Sequence, residues 1–176
     1  MNQYIIADEH YGHSNILAFR DPQDRLQRTF NTVTEMREYM IKKHNSVVQK
    51  GDVTFHLGDF YFGTNWRDVQ YILSRLNGDH VLILGNHDHL RVFDYVEAGF
   101  HSVHTSFTMQ GVTLIHDPAV AGVFTDSNYV HGHTHSLGLQ LRENTYCVSV
   151  ELHDYTPVPL WKALDSFKIW KNEEGH

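Results

Sequence analysis

The chain has 176 residues, 41% of them hydrophobic, enough for one domain (residues 1–176) with a substantial buried core. Its 14 Lys+Arg against 21 Asp+Glu leave a formal charge of −7, a sign that disfavours sequence-independent grip on long nucleic acid through counterion release. The lone Cys147 excludes an internal disulfide. The start MNQYIIADEH lacks a signal-peptide pattern, and no apolar run reaches the roughly 18 residues of a membrane span, so a soluble, cytoplasmic protein without a membrane partner is expected.

Along the chain, short apolar runs alternate with helical patterns. QYIIA (3–7), TFHL (54–57), HVLIL (80–84), VTLIH (112–116), NYVHG (128–132) and TYCVSVEL (145–152) are rich in Val, Ile, Tyr and Leu and are bounded by Gly, Asp or Asn, which reads as strands. Thr32 and Glu35 form a capping-box pattern ahead of Met36, Tyr39, Met40, Lys43 and Val47 at helical spacing. A second helix is expected after Asn65, with Trp66, Val69, Ile72, Leu73 and Leu76 on one face and a stop at Asn77-Gly78. A third begins near Pro159 and carries Trp161, Leu164 and Phe167. The pattern is α/β and strand-rich in its second half.

Fifteen histidines outnumber the lysines and arginines combined, which points to metal or acid–base chemistry. Where they fall is more telling than how many there are. The expected strands run into Asp8-Glu9-His10, Gly58-Asp59, Gly85-Asn86-His87-Asp88, His116-Asp117 and His131-Gly132-His133-Thr134-His135. In α/β sheets the crevice beyond the strand ends is where loops converge to form sites. Asp8, His10, Asp59, Asn86, His116, His133 and His135 offer carboxylate, imidazole and amide donors with no thiolate. Mixed N/O ligation suits Mn²⁺, Fe or Zn²⁺ in an open catalytic site better than a closed structural zinc site. Such a set, with one member bridging, suffices for two metal ions, which together can clamp a phosphoryl group.

The blocks Asp8-x-His10, Gly58-Asp59, Gly85-Asn86-His87-Asp88, His116 and Gly132-His133-x-His135, in that order, resemble the signature of the calcineurin-like metallophosphoesterases. The lead-ins HYGHSNILAFR and FHLGDFYFG resemble the small stand-alone bacterial and phage members. The resemblance implies a four-layer α/β/β/α sandwich of two mixed sheets flanked by helices. It implies one metal on Asp8, His10 and His135, a second on Asn86, His116 and His133, and Asp59 bridging both. His87 would stabilise the transition state or protonate the leaving oxygen, and Asp88 would orient it. Glu9 and Asp117 depart from the usual pattern without removing a ligand, and they bear on substrate preference.

Other candidates are weaker. His13, Arg20 and Arg91 are candidates for contacting substrate, with Arg25 and Arg28 as further guanidiniums able to grip phosphate. His56 reads as a buried strand residue, His131 as strand or ligand support, and Cys147 as a small buried hydrophobe. The expectation is a hydrolase: a dinuclear phosphoesterase acting on a small nucleotide-like, even cyclic, phosphodiester by direct attack of a metal-bridging hydroxide. Mn²⁺ is the first choice of cofactor, with Fe, Zn²⁺ or Ni²⁺ as alternatives, and the chain is expected to act as monomer or homodimer. Alternative readings are a phosphomonoesterase or short-range exonuclease, or a metal-binding interaction scaffold of the same fold.

Overall fold

The structure, a computed structural model, describes residues 1–21, 23–119, 127–135 and 144–173. The first half runs β1 (Gln3–Ile6), a 3₁₀ turn (Ser14–Ala18), α1 (Val33–Val47), β2 (Val53–His56), α2 (Trp66–Leu73), β3 (Asp79–Ile83), α3 (Val92–Ala98) and β4 (Ser102–His104). Each helix returns the chain to the same end of the sheet, so β1 to β4 pair in parallel. The second half runs β5 (Ser106–Met109), β6 (Val112–Ile115), β7 (Asn128–His131), β8 (Thr145–Cys147), a 3₁₀ turn (Val150–His153), β9 (Val158–Pro159) and α4 (Leu160–Glu173).

The first sheet has the order β4-β3-β2-β1-β9, with β9 antiparallel to β1. The second has the order β5-β6-β7-β8, with only the β5–β6 pair antiparallel. Both sheets are therefore mixed. Period-two alternation sends Ile5, Phe55, Leu57, Val81 and Ile83 into the space between the sheets, where they meet Val112, Leu114 and Val130. Leu82, on the other face of the first sheet, packs with Met36, Met40, Val69, Ile72 and Tyr95 of the first three helices. Burial on both faces is why β1 to β3 read as near-continuous apolar runs. Leu160, Ala163 and Phe167 of α4 join the inter-sheet core. The architecture is an α/β sandwich of two mixed sheets flanked by helices, the class expected from the sequence. Among the described residues no helix is long and apolar enough to cross a membrane.

Sequence reading misses α3, β4, β5 and β9, all elements of seven residues or fewer. The α3 N-cap is Arg91, held by Asp94 rather than by a short polar cap of its own, so no usual start signal announces it. The β5–β6 hairpin turns on Gln110 (φ 49°) and Gly111 (φ 78°), a pair of left-handed residues as a tight two-residue hairpin requires. The run TYCVSVEL is not one strand. It leaves the second sheet after Cys147 and crosses to the first, where Ala7 N donates to Val148 O at 3.1 Å and Val150 N donates to Ala7 O at 3.1 Å. That crossing brings Ser149 to Asp8 and Glu151 to His135.

Candidate metal centre

The ends of β1, β2 and β3 lead into Asp8–His10, Asp59 and Asn86, and the ends of β6 and β7 lead into His116, His133 and His135. Five of these seven residues have left-handed backbones: Asp8 (φ 61°), His10 (φ 51°), Asp59 (φ 55°), His133 (φ 71°) and His135 (φ 47°). A non-glycine residue held in a sparsely populated backbone region costs about 1–3 kcal/mol and persists only where its surroundings over-determine it, which happens most often at functional sites. Here the surroundings are interlocked loops. Asp8 N donates to Gly58 O at 3.0 Å, His10 N to Asp59 O at 2.8 Å, and Gly132 N to His116 O at 3.1 Å.

Two overlapping clusters result. Asp8, His10 and His135 each place a donor atom within 4.8 Å of the others, and so do Asp8, Asp59 and His116. Asn86 Oδ1 lies 3.0 Å from both His116 Nε2 and His133 Nδ1, and those two nitrogens are 3.2 Å apart. Asp59 Oδ2 stands between the clusters, 3.5 Å from His10 Nε2 and 3.4 Å from His116 Nε2. All seven residues expected from the sequence are brought together.

The electrostatics fit a cation. Burial pushes the His10 imidazole down to about 2, and both of its buried ring nitrogens lack a hydrogen-bond partner among the described residues. Burial also acts to lower His116, but the Asp59 hydrogen bond and the Asp8 and Asp59 charges outweigh it and raise His116 to about 9. His135 is raised in the same way, against burial, by its hydrogen bond to Glu151 and by the Asp8 charge. The clustered carboxylates thus draw positive charge onto their neighbours, as expected of a site whose ligands release protons when a metal binds.

Outer partners aim the ligands. His116 Nδ1 faces Leu57 O at 2.8 Å, leaving Nε2 for the centre, and His135 Nδ1 faces Glu151 Oε1 at 3.1 Å. Imidazoles that bind metals are commonly fixed in tautomer and direction by such carbonyl and carboxylate contacts. Asp8 accepts from Ser149 Oγ at 2.6 Å and from His133 N at 2.9 and 3.0 Å. Glu151 in turn is held by Arg28, which is fully buried: Nη2 lies 2.7 Å from Glu151 Oε1, while Nη1 donates to Glu9 O at 2.8 Å and Nη2 donates to Asp8 O. Burial tends to raise Glu151, yet the Arg28 charge and the His135 contact bring it down to about 2. Ser149 and Glu151 were not legible as site residues, and Arg28 was legible only as a phosphate-gripping candidate. Arg28 lies 123 positions from Glu151, and no local pattern links them.

Glycine makes the close packing of ligand loops possible. A Cβ on Gly85 would stand 2.2 Å from Asp59 Oδ1 and 2.4 Å from Asp59 N, although the backbone at Gly85 is not left-handed. Replacing Gly85 by Ala is therefore expected to displace the Asp59 carboxylate, weakening metal binding about 10–100-fold in a calorimetric titration. Unchanged affinity in that variant would show that Asp59 does not hold the metal.

Several expected roles are corrected. Asp88 does not reach the His87 ring among the described contacts; its carboxylate accepts from Gly85 N and Asp59 N at 2.8 Å and from Phe60 N at 3.1 Å. It ties two ligand loops together, and burial pushes its carboxyl up to about 6. His87 donates its backbone N–H to Asp59 Oδ1 at 2.8 Å, and its half-buried ring lies 5.6 Å from that of His10. His13 does sit beside the centre, its ring 5.5 Å from His10 and stacked at 3.9 Å on Phe62. Arg20 and Arg91 do not reach it in any described contact. Arg20 Nη1 donates to Asp24 O at 2.6 Å, and Arg91 grips Asp94 at 2.8 Å, both on the exposed surface. Arg28 is an internal clamp and not a phosphate grip. Cys147 is half-buried and contacts Thr134 and Ser149 hydroxyls at 3.2 Å, so it is more than a small hydrophobe.

Glu9 turns away from the centre. Between the left-handed Asp8 and His10, the Glu9 side chain meets His56 Nδ1 at 2.5 Å. His56 Nε2 then lies 3.1 Å from His80 Nδ1, and the His44 ring stacks on His56. This polar chain is buried between the first sheet and its helices, with Glu9, His44, His56 and His80 all at most 4% exposed.

The fold and this centre define an α/β sandwich protein with buried Asp/His groups placed to hold a metal ion. The chain is 32% identical over 169 residues to the uncharacterized protein MJ1445 of Methanocaldococcus jannaschii, covering 89% of this chain and 86% of that one, and it belongs to the same family. Its fold is similar to that of a protein of unknown function from Aquifex aeolicus, AQ665, in a crystal structure matched with a TM-score of 0.67. That match covers 92% of this chain and 96% of the other at 22% identity, so it speaks to the fold alone. No family model matches the chain.

Proposed function

We propose that the chain is a metal-dependent phosphoesterase of the calcineurin-like type with a dinuclear centre. The observation that carries this reading is the convergence of seven N/O donors from five strand ends, with one oxygen of Asp59 facing an imidazole of each cluster. Asp8, His10 and His135 would hold one ion, Asn86, His116 and His133 the other, and Asp59 both. Divalent ions in such a site, Mn²⁺ being the first to test, supply Lewis acidity that neutralises phosphate oxygens and makes water nucleophilic near neutral pH. His87 is the group placed to give a proton to the leaving oxygen, because its ring faces the centre beside His10 and makes no side-chain hydrogen bond among the described residues. Asp59 and Asp88 hold the loop that presents it, through Asp59 Oδ1 on His87 N and Asp88 Oδ2 on Gly85 N. The burial of His10 and His13 keeps their rings neutral beside the reacting phosphate.

The test is release of p-nitrophenol from bis(p-nitrophenyl) phosphate and from p-nitrophenyl phosphate, after chelator treatment and with Mn²⁺ restored. Metal-restored turnover of the diester is expected, and its absence on both substrates rejects the reading. Replacement of His87 by Ala keeps the backbone contact to Asp59, so metal content should hold while kcat falls on the order of 10²-fold or more. Loss of metal in that variant would make His87 structural.

A further inference from the structure

A cavity of about 220 Å³ adjoins the second cluster, lined by Leu84, Asn86, Thr105, Ile115, His116 and Asp117. We propose that it receives the organic group esterified to the phosphate, and that this group is about one ring in size and carries no further negative charge. The inference rests on the phosphoesterase reading and narrows its substrate class.

Position comes first. Asn86 and His116 belong both to the cavity wall and to the second ligand cluster, so a group seated here is adjacent to a phosphate held there. Size comes next, since the volume lies below the roughly 300–1,000 Å³ of pockets that enclose a whole drug-sized ligand. A base or aryl ring fits that space better than a dinucleotide. Charge completes the argument. Leu84 and Ile115 supply apolar wall and Thr105 a hydroxyl, and among the described residues no lysine or arginine lines the cavity. Asp117 adds a carboxylate, its Oδ1 accepting from Ala119 N at 2.8 Å and its Oδ2 lying 3.7 Å from His133 Nε2. A second phosphate or a carboxylate on the organic group would lie beside the Asp117 carboxylate and be opposed by its charge.

The experiment uses the full chain, stripped by chelator and reloaded with Mn²⁺, and measures calorimetric binding of methylphosphonate, phenylphosphonate and 4-carboxyphenylphosphonate. Phenylphosphonate is expected to bind about ten-fold tighter than methylphosphonate, because the ring leaves water. The 4-carboxy compound should lose that advantage. Thr105 is exposed and outside the ligand set. Thr105→Trp should fill the cavity, removing the phenyl preference while leaving Mn²⁺ and methylphosphonate binding unchanged. Equal binding of the two simple phosphonates by the wild-type chain, or a phenyl preference that survives Thr105→Trp, would overturn the cavity assignment and leave the phosphoesterase reading standing. Failure of all three phosphonates to bind the Mn²⁺-loaded chain would overturn both.

Discussion

Replacing Arg28 by methionine is expected to destabilise the metal-free protein by about 3–5 kcal/mol, the usual range for removing one partner of a buried pair. The side chain is fully buried, and its guanidinium serves Glu151 and the carbonyls of Asp8 and Glu9 at once. Methionine fills much of the same volume but leaves the buried Glu151 carboxylate without its countercharge and two carbonyls without donors. The damage should not stop at stability. Glu151 aims His135, and the two carbonyls belong to the loop whose residues Asp8 and His10 are left-handed. Metal affinity should therefore fall by about 10–100-fold as well, the range seen when outer partners of ligands are removed. Denaturant unfolding in chelator and metal titration at a temperature where the variant is folded measure the two effects separately. Arg28→Lys keeps the charge but loses the planar fork, so it should fall between wild type and methionine on both. Wild-type behaviour of Arg28→Met in both measurements would show that the clamp is idle.

The second large effect is acid instability from the polar chain behind the Asp8 loop. Burial lowers His44 and His56 to about 3 and His80 to about 2, so all three are neutral in the folded protein well below the pH at which they protonate when unfolded. As pH falls below about 6.5 the unfolded chain takes up protons that the folded chain refuses, and stability is lost from there down through the folded values. Each histidine contributes up to about 1.4 kcal/mol per pH unit in that window. Glu9 acts in the opposite sense. Burial raises it well above the ordinary carboxyl value, so the folded chain keeps a proton that the unfolded chain has released, and this contribution to stability is lost as pH rises. Within this polar chain, three histidines set against one glutamate leave a share of about two protons, or about 3 kcal/mol per pH unit, in the pH dependence of the whole protein. Urea unfolding of the chelated protein at about pH 7, 6 and 5 should show that decline. The variant His44→Gln/His80→Gln should flatten it by up to about 2.7 kcal/mol per pH unit, since two of the three histidines are gone. Equal slopes for variant and wild type would mean that the buried imidazoles are already protonated in the fold.

The strands that hold the centre were readable because they are buried on both faces and end in polar clusters. The short elements were not. The α3 helix lacks a cap signal, β5 alternates between exposed and half-buried positions, and the run from Val148 to Leu152 carries strand-like residues whose path is set by Ala7 on the other sheet. The same limit applied to the site. His116, His133 and Asn86 could be named from their local blocks, whereas Asp88 was linked to His87 by adjacency alone and instead spans back 29 residues to Asp59.

By itself the sequence determined the α/β class, the seven donors and their place at strand ends. These are properties of local pattern: apolar runs of strand length, glycines at tight approaches, and ligand types set at fixed short spacings. Only the tertiary structure decided which groups aim and support those donors. Arg28, Glu151, Ser149 and the Glu9–His56–His80 chain act through contacts between residues 19 to 141 positions apart. It also decided which arginines stay outside, because an exposed guanidinium takes the nearest carboxylate, Asp24 for Arg20 and Asp94 for Arg91. Burial and long-range pairing have no signature in local spacing, which is why the candidate metal ligands could be read along the chain and their supports only in space.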